Sequence, residues 1–293
     1  MPRFLNTWTG EFEWHPDPRY VTYAILSHVW RGPGDGGEQS YDDIRKIQAA
    51  VKEDRREEPP SHLAKNPISK ILASKIFTGW TLRPIPHTIT TPSHEREEAG
   101  TIFSSPELSD KIKGFCKVAR EAGFRLAWND ACCIDKTSSA ELSEAINSMY
   151  EWYRLSDMCY VYLADVPDGD SPISPISRFS QSHWHTRGWT LQELIAPERV
   201  VFLTNTWSFL GTKKGLAKTL QKVTGVAFDV LTGGVSLESV SVARRMSWAA
   251  KRSTTRLEDQ AYCLMGIFGV HLSPIYVLKV SPLHLYESNT SSE

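Results

Sequence analysis

The chain predicts an α/β protein in which a parallel β-sheet is flanked by helices and followed by a helical C-terminal appendage. Three observations carry that expectation. Apolar, β-branched or aromatic runs recur at 22–27, 124–134, 158–164 and 199–204. Segments with the helical apolar period separate them, and strand alternating with helix is the signature of parallel pairing. Polar residues collect just past the runs, at Ser27-His28, Asn129-Asp130 and after Ala164, and in such folds ligands sit beyond the carboxyl ends of the strands.

In chain order, 1–19 reads as an N-terminal segment, and the first buried strand is expected at 22–27. A loop with four glycines follows over 31–37; it is neither a dinucleotide fingerprint nor a P-loop, and Asp35 and Glu38 would repel a phosphate there. Residues 41–52 look helical. The stretch of about 32–108, with scattered Pro, Ser, Thr and His, is expected to be a largely irregular insertion. Order returns at 109–123, where Ile112, Phe115, Val118 and Ala119 form an apolar stripe stopped by Gly123. The run 124–134 reads as a strand, 138–155 as an amphipathic helix, and the continuous apolar run 158–164 as a strand buried on both faces. The Ser- and Pro-rich loop 167–182 reads either as a lid or as a plain surface loop. Helical segments at 215–223, 237–250 and 258–268 complete an appendage assigned to 207–276, and 277–293 is expected to be a disordered tail.

The stretch around which these elements are arranged is Arg187-Gly188-Trp189-Thr190-Leu191-Gln192-Glu193-Leu194, closed by Ala196-Pro197. Leu191, Leu194 and Ile195 give it an apolar helical face, and Pro197 ends it because it brings no N–H and restricts its predecessor. Trp189 and Glu193 are four apart and share a face. A carboxyl held beside an indole is a candidate for a raised pKa and an active group. The plainer alternative is a first-turn Glu favoured by the helix dipole beside a core Trp.

Composition narrows the classes. With 33 basic and 34 acidic residues the formal net charge is −1, which points away from nucleic acid and anionic membranes. The N-terminus has no apolar leader and no run of 18 apolar residues occurs. Five cysteines in a chain of 293 residues are no disulfide framework. A reduced, soluble, cytoplasmic protein is expected. A metal site drawn from His183, His185, Cys132, Cys133 and Cys159 lacks ligand spacing, since adjacent strand cysteines face opposite ways. A Cys133–His28 nucleophile has nothing in the sequence to bring it together. No metal and no cofactor are expected.

Four blocks resemble the fungal heterokaryon-incompatibility (HET) domain: YAILSHVW at 23–30, FRLAWNDACCIDK at 124–136, INSMYEWYRLSDMCYVYLADV at 146–166 and RGWTLQELIAPERVVFL at 187–203. The stretch 241–276 resembles the helical segment that commonly follows in large incompatibility proteins. The resemblance implies a domain over 20–206 with a Toll/interleukin-1 receptor (TIR)-like, flavodoxin-like fold, acting in self/non-self recognition, innate immunity and programmed cell death. In NAD-cleaving TIR domains a Glu four residues after a Trp supports glycosidic cleavage of NAD⁺, and Trp189 and Glu193 match that spacing. Glu193 is then the catalytic group and NAD⁺ the substrate. Trp189 or Trp30 would stack on a ring, while Ser27, His28, Asn129, Asp130 and Asp135 would face ribose or water, and Arg187 would pair with phosphate or bridge to Glu193. The resemblance equally allows a non-enzymatic, self-associating module that triggers death by recruiting partners. Family members usually continue after SPIY into a sensor or repeat region; here 277–293 resembles none of it, so a shortened chain and an NLR-like sensor on another protein are expected.

Overall fold

A computed structural model of the protein describes residues 2–32, 34, 36–57 and 100–276. Asp35, residues 58–99 of the expected insertion and the expected disordered tail 277–293 lie outside the described residues.

The first and third of the expected strands are the core of the sheet because they are apolar on both faces. Strand β3 (Tyr23–His28) is buried along its whole length, and β5 (Met158–Tyr162) nearly so. They pair in parallel, with Ala24 opposite Met158 and His28 opposite Tyr162. Strand β4 (Leu126–Trp128) lies parallel on the far side of β3, and β6 (Val200–Leu203) lies parallel beside β5. The four parallel strands therefore stand in the order second, first, third, fourth, with the direction of winding reversing at β3.

The sheet is mixed rather than purely parallel, because three antiparallel strands extend it. A hairpin of β1 (Arg3–Asn6) and β2 (Phe12–Trp14) joins one edge through β1 and β4, and β7 (Phe209–Thr212) pairs antiparallel with β6 on the other. The full order is β2-β1-β4-β3-β5-β6-β7. Short-range returns of this kind need only a turn, whereas parallel neighbours need a crossover. Thus both 3–14 and 209–212 contribute strands to the central sheet.

Helix α1 (Tyr41–Glu57) lies in the stretch read as largely irregular and buries Ile44 and Ile47 in the core. Helix α2 (Asp110–Glu121) starts where Ser109 Oγ accepts from the Ile112 amide, and it precedes β4. Helix α3 (Ser139–Leu155) is capped in the same way by Ser138 and connects β4 to β5. Between β5 and β6 come α4 (Arg178–Gln181), a 3₁₀ turn (His183–Thr186) and α5 (Thr190–Ile195). The appendage holds α6 (Ala217–Thr224), α7 (Phe228–Thr232), α8 (Val242–Ala249), α9 (Asp259–Tyr262) and α10 (Met265–Phe268). It packs tightly on the main body: a Cβ at Gly266 would stand 2.1 Å from Tyr150 Cβ, so only glycine lets α10 approach α3 so closely. Among the described residues no helix is long and apolar enough to cross a membrane.

Lys213, directly after β7, is 5% exposed and donates to the carbonyls of Leu194 (3.3 Å) and Pro197. It closes the C-terminal end of α5, where the last carbonyls lack intrahelical partners. Burial pushes its pKa down to about 8. Lys213→Ala strands two buried acceptors and is expected to lower unfolding stability by about 2–4 kcal/mol; an unchanged denaturation midpoint in urea would contradict that role.

Candidate active site

Helix α5 is seated by residues far from it in sequence. The chain around Gly188 forms an extended bridge with the appendage: the Gly188 amide donates to Ser253 O (2.8 Å), and the Ser253 amide donates to Thr186 O (2.8 Å). A Cβ at Gly188 would stand 2.5 Å from Thr254 Cγ2 and 3.1 Å from Cys263 Sγ, which accounts for glycine in that position. Arg252 Nη1 donates to Arg187 O and to Thr190 Oγ1, both at 2.8 Å. Arg187 Nη1 in turn donates to Thr255 Oγ1 at 3.0 Å.

This seating drives Glu193 into the sheet end. Its residue is 5% exposed, and Ser27 Oγ, on the last turnout of β3, donates to Oε2 at 2.5 Å. Trp184 Nε1 donates to the same Ser27 Oγ at 2.8 Å. The nearby Tyr153 hydroxyl donates to Leu26 O at 2.7 Å, and the charge of Glu193 adds to the burial that raises its pKa. Burial first, and the negative Asp130 second, push the Glu193 pKa up to about 8, against the opposing pull of Ser27, Arg187 and Arg252.

Asp130 follows β4 and is held ionised. Burial works against its charge, but His28, the nearby Lys136 and the Trp30 indole together keep its carboxyl below the usual range. Its Oδ1 meets His28 Nε2 at 3.0 Å and its Oδ2 accepts from Trp30 Nε1 at 2.9 Å. His28 Nδ1 faces Lys111 Nζ at 3.0 Å, and Lys111 is paired with Glu38. A chain of polar contacts thus runs from Glu38 through Lys111 and His28 to Asp130.

These groups border a cavity of about 280 Å³ beyond the carboxyl ends of β3 and β4. Glu193, Asp130, His28 and Trp189 line it; Ile134, Leu142, Ile146 and Met149 give it an apolar side. The loop 167–182 does not line it. Thr255, Arg256, Asp259 and Tyr276 of the appendage do.

Of the residues singled out from sequence, Glu193, His28, Trp30, Asp130, Arg187 and Trp189 converge on this cavity. Ser27 stands behind it, against Glu193. Asn129 is buried, its Oδ1 accepting from the Ala131 amide and its Nδ2 without a partner. Asp135 stands apart, capping its own turn through the Thr137 amide and hydroxyl. The described residues of the loop 31–37 take no part in the lining, whereas Glu38 anchors Lys111. His185 is a core residue between Phe179 and Trp184, and the five cysteines are buried free thiols. Sequence reading missed Lys111, Lys136, Arg252 and Arg256. Lys111 had a visible signal: it stands four residues before Phe115, on the apolar stripe of α2, where a lysine has no ordinary reason to be. The arginines carried none, because the 252–256 stretch reads as a solvated charged turn.

Residues 86–173 match the family described as heterokaryon incompatibility protein (HET). The chain is 46% identical over 171 residues to vegetative incompatibility protein HET-E-1 of Podospora anserina, a match that covers 57% of this chain and 12% of that relative. No solved structure matches it significantly. The two matches support a HET domain in this chain, which spans about an eighth of the length of its relative.

The raised Glu193 pKa has a consequence for stability. Unfolded, the carboxyl ionises near 4.5; folded, it keeps its proton to about 8. Its contribution is therefore complete below pH 4.5 and is lost as pH rises toward 8. Glu193→Gln is expected to flatten the decline in stability between pH 5 and 8, measured by urea denaturation across that range. An identical decline in both proteins would show that Glu193 is not the titrating group.

Proposed function

We propose that this chain is the HET effector domain of a vegetative-incompatibility system and that it acts by TIR-like hydrolysis of NAD⁺ at the Glu193 cleft. The observation that carries the reading is a buried carboxyl, its pKa pushed up by burial and Asp130, in the lining of a cavity at the switch point of the parallel strands that an indole also lines. The strand order second-first-third-fourth is that of flavodoxin-like sheets, which bind ligands at this point and to which TIR domains belong.

The chemistry follows from the charges. A pyridinium ribose entering beside Trp189 brings a positive charge next to Glu193, which favours release of its proton. The carboxylate then stabilises the oxocarbenium character that develops as the C1′–N bond breaks. Nicotinamide leaves neutral with the bonding electron pair, water adds to C1′, and one proton is released with ADP-ribose. Asp130, fixed by His28 and Trp30, keeps Glu193 protonated until the cation arrives. The cavity of about 280 Å³ is at the lower end of ligand pockets, and it suits the nicotinamide–ribose end of the dinucleotide.

The cell-death role, the self-association and the sensor partner belong to the wider protein system and are proposed with it. The cytoplasm is the proposed compartment, since it holds both NAD⁺ and reducing thiol chemistry that suits free cysteines.

Nicotinamide release from NAD⁺ by the purified, concentrated protein tests the reading. Glu193→Gln is expected to reduce the rate by 100-fold or more, an amount typical of loss of a group acting only on the transition state. In the wild type, kcat/KM is expected to rise with pH and level off above about 8, because that ratio reports the free enzyme's Glu193. Equal release by wild type and a folded Glu193→Gln protein would overturn the assignment. An assembled wild type that releases none would favour a recruiting scaffold.

A further inference from the structure

Three cations border the cavity. Lys136 rests on the face of Trp30, its Nζ 3.8 Å from the ring centroid. Arg256 rests on the face of Tyr276 at 4.5 Å. Arg187 is held by the Thr255 hydroxyl. Among the described residues, no carboxylate forms an ion pair with any of the three.

The acids of the same lining are otherwise engaged. Asp130 is taken by His28 and Trp30, and Asp259 accepts from the Tyr276 hydroxyl at 2.8 Å. Depth separates the two kinds of group: Glu193 is buried, Arg187 is half-buried, and Lys136 and Arg256 are exposed. The inner end of the cavity is therefore carboxyl and apolar, and the outer end is cationic and aromatic.

We infer that this outer end is a diphosphate-binding site, and that Arg256, supplied by the appendage, is its principal specificity residue, sharing the cavity lining with Lys136 and Arg187. The inference rests on the proposed nucleotide substrate but adds residues and a subsite to it. A guanidinium fork matches two phosphate oxygens at once, and an aromatic face fixes its plane without consuming its donors. Lys136 is placed likewise, as a point charge backed by an indole. The appendage then has a chemical reason to be folded onto the domain: the bridge at Gly188–Ser253 and the Arg252 hydrogen bonds carry Thr255 and Arg256 to the cavity. A ligand with ribose at the inner end and a diphosphate at the outer end meets both halves.

Calorimetric titration of the whole chain with ADP-ribose and with nicotinamide riboside, which has no phosphate, separates the possibilities. Glu193→Gln serves as the background for the nicotinamide riboside titrations so that turnover does not intervene. Arg256→Met is expected to weaken ADP-ribose on the order of tenfold or more, the equivalent of one lost charge-assisted bond, and to change nicotinamide riboside less than twofold. Arg256→Lys should fall between. Affinity for ADP-ribose should drop with added salt, and more steeply in the wild type than in Arg256→Met. No binding of ADP-ribose by the wild type, or equal losses for both ligands in a folded Arg256→Met, overturns the inference. Binding of ADP-ribose that depends on Arg256 without any nicotinamide release from NAD⁺ sustains the subsite and instead removes the hydrolytic reading.

Discussion

A helix of six residues cannot hold its own shape in water, because nucleation costs more than so few hydrogen bonds return. That constraint governs the centre of this molecule. Thr190–Ile195 exists as a helix only because its surroundings grip it from three sides. Arg252 and Ser253 hold its N-terminal approach, Lys213 closes its C-terminal carbonyls, and Ser27 at the end of β3 takes hold of Glu193 on its inner face. Each grip comes from a different part of the chain. The end of β3, the residue after β7 and the appendage all meet on this one short helix.

The cleft sets two acids to opposite states by their neighbours alone. Asp130 is half-buried and met by an imidazole, an indole and nearby Lys136, while Glu193 is buried and accepts from a serine hydroxyl. Its partners hold the first ionised, while burial keeps the proton on the second against the pull of Ser27, and the charge on Asp130 widens the difference. Pairs of carboxyls pushed apart in this way are the usual arrangement of acid and base roles in one site. The run of contacts Glu38, Lys111, His28, Asp130 also explains why Lys111 tolerates burial: its ammonium is lowered in pKa chiefly by desolvation, and Glu38 works against that loss.

Much of this was legible in the sequence where a local pattern enforced it. The parallel core strands announced themselves as apolar runs, and helices α2 and α3 by their periodicity and serine caps. Trp189 and Glu193 share a wall of the cavity as their spacing implied. What escaped was decided by distant contacts. The hairpin at 3–14 and strand β7 are short and weakly patterned, and they become strands because the sheet offers them an open edge. Helix α1 was partly legible, yet its burial on the core was hidden by the irregular composition around it. Arg252 and Arg256 looked like a charged turn, and only the bridge to Gly188 brings them to the cleft. Asp135 had the right residue type, but its turn directs it to its own backbone.

The central claim is that Glu193 stays protonated at neutral pH in the empty cleft because of its burial and the charge of Asp130. Site-resolved carboxyl titration by carbon-13 NMR, with Glu193 assigned through Glu193→Gln, tests this most directly. The account requires a side-chain carbonyl that titrates near 8 in the wild type and moves downward when Asp130 is replaced by Asn. A Glu193 that ionises in the ordinary carboxylate range near 4.5, or one indifferent to Asp130→Asn, would contradict it.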